Sequence, residues 1–131
     1  MKVALLFLGL FLTLSAEHIT WRSNYDAAHQ EALKTKKFLM VLLIEKECSA
    51  CQKMLIETFR DQPYIKELNE KFVSVIVTKG QVGSYPIEML YTLEYPSLFF
   101  LNNTELFLGK NIFGYIDPDA FKRHLKLHVK F

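Results

Sequence analysis

The chain has 131 residues, half of them hydrophobic, with 16 basic against 14 acidic residues and only 2 Cys. That length holds one well-cored domain, and the apolar and aromatic content excludes a disordered or collagen-like polymer. A net charge of +2 gives no electrostatic reason for a nucleic-acid partner, and two cysteines exclude a scaffold stapled by many disulfides.

The chain opens with Met1-Lys2, and Val3 to Leu14 is then apolar but for Gly9 and Thr13. Ser15-Ala16 closes the run before the polar Glu17-His18. A positive start, a short apolar stretch and small residues at its end predict a secretory signal over residues 1–16. The cut falls after Ala16, with a competing site after Ser15. The stretch is shorter than the roughly 20 residues of a comfortable membrane span. The other reading of the segment is an uncleaved membrane anchor. The expectation is therefore a periplasmic or secreted domain of residues 17–131.

Helical character starts at Ser23, with Asp26 three residues on as a capping box, and runs to Lys37. Tyr25, Ala28, Ala32 and Leu33 form its inner stripe. Phe38–Ile44 is a continuous apolar run, the mark of a strand covered on both faces. A helix follows over Cys48–Phe59, and Asp61-Gln62-Pro63 predicts another, reaching Asn69. Phe72–Val77 reads as a strand, Gly80 and Gly83 as a loop, and Pro86–Tyr91 as a short helix. Ser97–Leu101 is the next strand, and Asn102-Asn103 turns the chain into another around Leu106–Leu108. After Gly114, Asp117-Pro118 opens a last helix to Val129. Strands separated by helices predict one α/β domain, a three-layer sandwich around a mixed sheet.

Both cysteines fall in Cys48-Ser49-Ala50-Cys51, after a buried strand and at a helix start. Unpaired N–H groups and the helix dipole stabilise an anion there, so the first thiol ionises more readily than a free one. The thiolate is the attacking species in disulfide exchange. Cys48 is read as the exposed attacker, and Cys51, one turn on and facing inward, as the resolving thiol. A c-type haem site requires His after the second Cys, where Gln52 stands. Structural zinc requires two further ligands, and the four histidines lie far off in sequence. A static disulfide closing so short a loop gains little chain-entropy stabilisation.

This strand, C-x-x-C and helix, with Tyr95-Pro96 about 45 residues later, resembles the thioredoxin family. The resemblance implies a thioredoxin fold, with Pro96 as the cis-proline facing the cysteines and Tyr95 beside it in the substrate-pairing backbone. Cys51-Gln52-Lys53 and Thr58 to Pro63 are similar to the C-terminal thioredoxin-like domain of the interchange protein DsbD and its secreted single-domain relatives. Gly114 to Leu125 has the family's glycine-then-helix ending. Two positions depart from the pattern. Glu47 stands where the family carries Trp, and Leu42 where it carries a buried Asp.

The resemblance implies a monomeric protein-disulfide oxidoreductase acting on disulfide-bearing or dithiol proteins, as a reductase by its similarity to the DsbD domain, with oxidant and isomerase as the alternatives. A membrane-embedded thiol reductase would restore its dithiol, and no cofactor or metal is implied. The competing reading is a thioredoxin-fold binding or metal-handling module, favoured by Leu42 and Glu47. His124 and His128 share a helix face without an evident third ligand, and the sequence alone assigns no role to His18 or His29. Tyr85, Tyr91, Tyr95 and Tyr115 are candidates to line a groove near the cysteines, with core packing as the competing reading.

Overall fold

The structure is a computed structural model, and it describes residues 17–81, 85–86 and 88–130. The expected signal, Gly83 of the expected loop and Ile87 of the expected short helix lie outside the described residues.

Strand β2 (Phe38–Ile44) occupies the middle of a five-stranded sheet because every one of its side chains is apolar. It pairs in parallel with β3 (Phe72–Thr78), from Phe38↔Phe72 to Ile44↔Thr78. On its other side it pairs antiparallel with β4 (Ser97–Leu101), from Leu39↔Leu101 to Leu43↔Ser97. The two-residue strands β1 (Trp21–Arg22) and β5 (Ile112–Phe113) close the edges, outside β3 and β4 respectively.

Alternation along the strands divides the core in two. Leu39, Val41 and Leu43 point with Val73, Val75 and Val77 at Tyr25, Ala28 and Ala32 of α1 (Tyr25–Thr35). Met40 and Leu42 point the other way, at helices α2 (Ser49–Glu57), α3 (Ile65–Lys71) and α4 (Pro118–His128). There Phe121 of α4 meets Phe59 and Tyr64 edge-on, with ring centroids 5.4 and 5.0 Å apart. The three layers expected from the sequence are all present.

Several local expectations give way. Helix α1 is capped by Asn24, whose side chain accepts from the Ala27 amide at 2.8 Å, and not by Ser23. Leu33 turns outward, since α1 needs only Tyr25, Ala28 and Ala32 to cover the sheet. Asp61 caps no helix. It adopts φ +56°, its amide donates to the Glu17 carbonyl at 2.7 Å, and α3 begins four residues later and ends at Lys71. Of the expected Pro86–Tyr91 helix, the described residues 88–90 form a turn, and the Leu90 amide donates to the Pro86 carbonyl at 2.9 Å. The expected strand at Leu106–Leu108 is reduced to an isolated bridge between Leu101 and Phe107.

The topology fixes where the chemistry sits. Leu43 is opposite Ser97, so the C-terminal end of β2 and the N-terminal end of β4 share one end of the sheet. Cys48 follows β2 by four residues and Pro96 immediately precedes β4, so both leave from that end.

Candidate functional site

Cys48 is the N-cap of α2, extended at φ −107°, ψ 100°. The side chain of an N-cap residue accepts one of the unpaired first-turn amides, normally through oxygen. Here the acceptor is sulfur. The Cys51 amide donates to the Sγ of Cys48 at 3.1 Å. Cys48 is half-buried rather than exposed, and Cys51 is 1% exposed, facing inward as its place one turn on predicts. The two form a disulfide with their Cα atoms 5.2 Å apart. Glu47, immediately before the cap, adopts φ +56°, a conformation that L side chains rarely take. Leu42 is fully buried between Ile76 and Leu98, so the position that departs from the family pattern is packed as core.

The far end of α2 is anchored by buried Thr58, whose hydroxyl donates to the Ile116 carbonyl at 2.7 Å. The Tyr64 hydroxyl donates to the Thr58 carbonyl at 2.6 Å. On the outer side of α2, the Tyr115 hydroxyl donates to Glu57 Oε2, and Lys53 Nζ lies 4.5 Å from the Tyr115 ring centroid. The hydrogen bond to Glu57 pushes the Tyr115 phenol up to about 12, because it holds the proton between them.

The Tyr95–Pro96 peptide is cis. Sequence reasoning did not foresee the groups that brace its loop. Buried Thr92 and Ser97 place their hydroxyl oxygens 2.8 Å apart. The Ser97 hydroxyl donates to the Glu94 carbonyl at 2.5 Å, and the Glu94 amide donates to Thr92 Oγ1 at 3.0 Å. The Gly114 amide donates to the Pro96 carbonyl at 2.7 Å. The available signal was a pair of hydroxyl residues flanking Tyr-Pro, the type that bonds to nearby backbone in turns.

Three of the four candidate tyrosines come together. Tyr85, Tyr91 and Tyr95 line a cleft of about 270 Å3 with Leu43, Leu90 and Lys79, whereas Tyr115 is held away on Glu57. Burial first, then Tyr85, Glu45 and Tyr91, push the Tyr95 phenol above its ordinary value.

His124 and His128 are 5.1 Å apart by ring centroid. His124 donates from Nε2 to the Lys110 carbonyl at 2.7 Å and stacks on Phe100. Burial holds its imidazole below the ordinary value. His29 donates from Nε2 to the Asn103 carbonyl at 2.8 Å, with its Nδ1 3.6 Å from Glu105. Among the described residues no group of three His, Cys, Asp or Glu side chains could hold a metal ion. Nor, among them, is any helix long and apolar enough to cross a membrane.

A three-layer α/β/α sandwich with a C-x-x-C pair capping its second helix and a cis-proline at the same sheet end is a thioredoxin fold. The chain belongs to the thioredoxin-like family, whose model matches residues 20–103. No curated protein matches it. Among solved structures it is similar to a putative disulphide-isomerase from Bacteroides thetaiotaomicron, at 23% identity and TM-score 0.70, covering 85% of this chain and 94% of that one. It is also similar to a DsbH oxidoreductase, at 17% identity and TM-score 0.67, covering 91% and 90%. The oxidised DsbD C-terminal domain of Neisseria meningitidis matches at 20% identity and TM-score 0.56, covering 77% and 90%. At these identities the likeness is one of fold.

Proposed function

We propose that the protein is an extracytoplasmic thiol–disulfide oxidoreductase that reduces disulfides in partner polypeptides. The observation that carries the reading is the Cys48 sulfur at the N-cap of α2, accepting the Cys51 amide at 3.1 Å. A reduced Cys48 keeps that donor and the helix dipole, both of which favour the thiolate. The thiolate attacks one sulfur of a partner disulfide, forming a mixed disulfide and expelling the partner's other sulfur as thiolate, which takes up a proton. Cys51, deprotonated in turn, attacks Cys48, expels the second partner sulfur and closes the Cys48–Cys51 disulfide. The partner gains two electrons and two protons, and the chain loses them. The Tyr95 backbone beside Pro96 is the segment on which the partner chain pairs.

The similarity of Cys51-Gln52-Lys53 and of Thr58 to Pro63 to the C-terminal domain of DsbD supports the direction. The N-terminal segment 1–16 supports export, followed by rereduction through a membrane-embedded thiol reductase. Insulin reduction by the purified dithiol form tests the reading. Wild type is expected to turn over, Cys48→Ser to lose activity, and Cys51→Ser to accumulate mixed disulfides. A potential near about −270 mV in a graded glutathione buffer fits a reductase, and one near about −120 mV overturns that direction. Absence of any reversible two-electron change overturns the whole reading. The exported chain is expected to start at Glu17, and a full-length chain in the membrane fraction would identify the segment as an anchor.

A further inference from the structure

Helix α4 buries Phe121 and Leu125 in the core and turns its other side to water. At about 100° per residue, Lys122, Arg123, Lys126 and Leu127 fall within one arc of the outer side, and all four are exposed. We propose that this face is a membrane-docking surface, which lies on the anionic phospholipid headgroups of a bilayer with Leu127 set between them. Neither cysteine takes part, so the surface is independent of the exchange chemistry.

Positive charge is concentrated there. Exposed Lys130 follows the helix, and exposed Lys110 is tied to its end, its amide donating to the His128 carbonyl at 3.3 Å. With Lys122, Arg123 and Lys126 they make five cations, and no acidic side chain occurs from Ala120 to Lys130. Among the described residues none of the five forms a salt bridge. Asp119, in the first turn, is the only acid of the helix. The other 11 of the chain's 16 basic residues face 14 acidic ones, so the rest of the molecule repels what this face attracts. An anionic surface therefore orients the domain as well as holding it.

The place where the chain enters the domain selects a bilayer over other polyanions. A groove between α3 and α4 is lined by Pro63, Tyr64, Glu67, Lys122, Leu125 and Lys126. Glu67, its one acid, is held by Lys71 at 3.1 Å. Pro63 also lines the hollow beside Glu17, the residue to which the apolar run 1–16 is joined. That run thus meets the domain on the side of Lys122 and Lys126. Leu127 adds the apolar element, standing 70% exposed among cations. A bilayer interface takes such a side chain below its headgroups while lysine stems reach back to the phosphates. An acidic peptide neutralises the cations and leaves Leu127 in water.

Sedimentation with vesicles tests this, using the purified exported protein and phosphatidylcholine alone or with about one-third phosphatidylglycerol. Binding to the anionic vesicles is expected to be at least about tenfold tighter, a margin lost between about 0.05 and 0.5 M salt. Each basic residue near such a surface is worth about fivefold in partitioning, so Lys122→Gln with Lys126→Gln is expected to weaken binding about 25-fold. Leu127→Ser is expected to weaken it severalfold. Leu127→Trp supplies a local reporter, which reads the face even in a chain that keeps residues 1–16. Measured against the wild-type emission of Trp21, it is expected to shift to the blue on anionic vesicles and not on neutral ones. The substituted side chains are exposed, and circular dichroism verifies the fold of each variant. Equal binding to both vesicles, no loss in the double variant or an unshifted Trp overturns the surface. So does displacement by polyglutamate with no effect of Leu127→Ser, which identifies an acidic polypeptide as the partner. Exchange with oxidised glutathione by the double variant is expected to match wild type, and a parallel loss would overturn the independence of the two surfaces.

Discussion

The Gly114 amide donates to the Pro96 carbonyl at 2.7 Å, so the residue that follows β5 also clamps the cis-proline. Gly114 holds φ +85°, and a Cβ there would meet Glu94 Oε1 at 2.6 Å. The Glu94 side chain is exposed and can swing away, but the backbone conformation cannot be relieved in that way. Gly114→Ala is therefore expected to lose about 1–2 kcal/mol in urea denaturation and to slow exchange. Adding Glu94→Ala should restore little. Full recovery in the double variant would show that the side-chain clash, and not φ, set the cost.

Gly109 offers a different test. Its Cβ would lie 1.6 Å from the His128 carbonyl oxygen, where residue 109 bridges Val129 after α4. Backbone must move, so Gly109→Ala is expected to cost at least about 2 kcal/mol. Gly80, at φ +78° with open space around it, should cost only about 1 kcal/mol on the same substitution. Equal losses in denaturant midpoint would contradict the close approach.

Two fully buried serines separate a satisfied hydroxyl from an unsatisfied one. Ser97 is bonded to Thr92 and Glu94, whereas Ser74 Oγ has no hydrogen-bond partner among the described residues. Ser97→Ala is expected to cost about 1–2 kcal/mol because it strips two partners of the loop brace. Ser74→Ala is expected to be neutral or slightly stabilising, since it removes a polar atom that loses water and gains nothing. Measured by chemical denaturation, the reverse order would refute this account of the cis-proline loop.

His124 gives the fold a pH dependence of definite sign. Burial holds its folded value below the ordinary 6.5, so near that pH the unfolded chain binds more protons than the folded one. Stability then rises with pH across this window and is lost as pH falls through 6.5 toward the lower folded value. His128 and Lys110 add like charge to a protonated His124. His124→Gln is expected to flatten the slope of denaturation free energy against pH between about 7 and 5. An unchanged slope would place the effect elsewhere.

Elements with an unbroken physical signature were legible in the sequence. Phe38–Ile44 and Ser97–Leu101 are strands with the expected bounds because burial on both faces demands continuous apolar character. Asp117-Pro118 opens α4 as expected, with Asp117 Oδ1 accepting from the Ala120 amide at 2.9 Å. Cys48 and Cys51 sit at the helix start where the spacing put them. The two-residue strands β1 and β5 are too short to carry a period and exist only through their pairing. Asp61 was misread because its start signal competes with a long-range bond to Glu17, which local sequence cannot announce. The Thr92–Ser97 brace was hidden for the same reason: hydroxyls become a clamp only once the turn has brought them together.

The brevity of β1 and β5 matters beyond this one molecule. Open sheet borders template pairing with other chains, and natural proteins blunt them by keeping edge strands short. A neighbouring copy meets only two paired residues at each rim before the chain turns away. The domain can thus expose Tyr91 and Leu93 at its surface while giving fibril growth almost no ledge on which to begin.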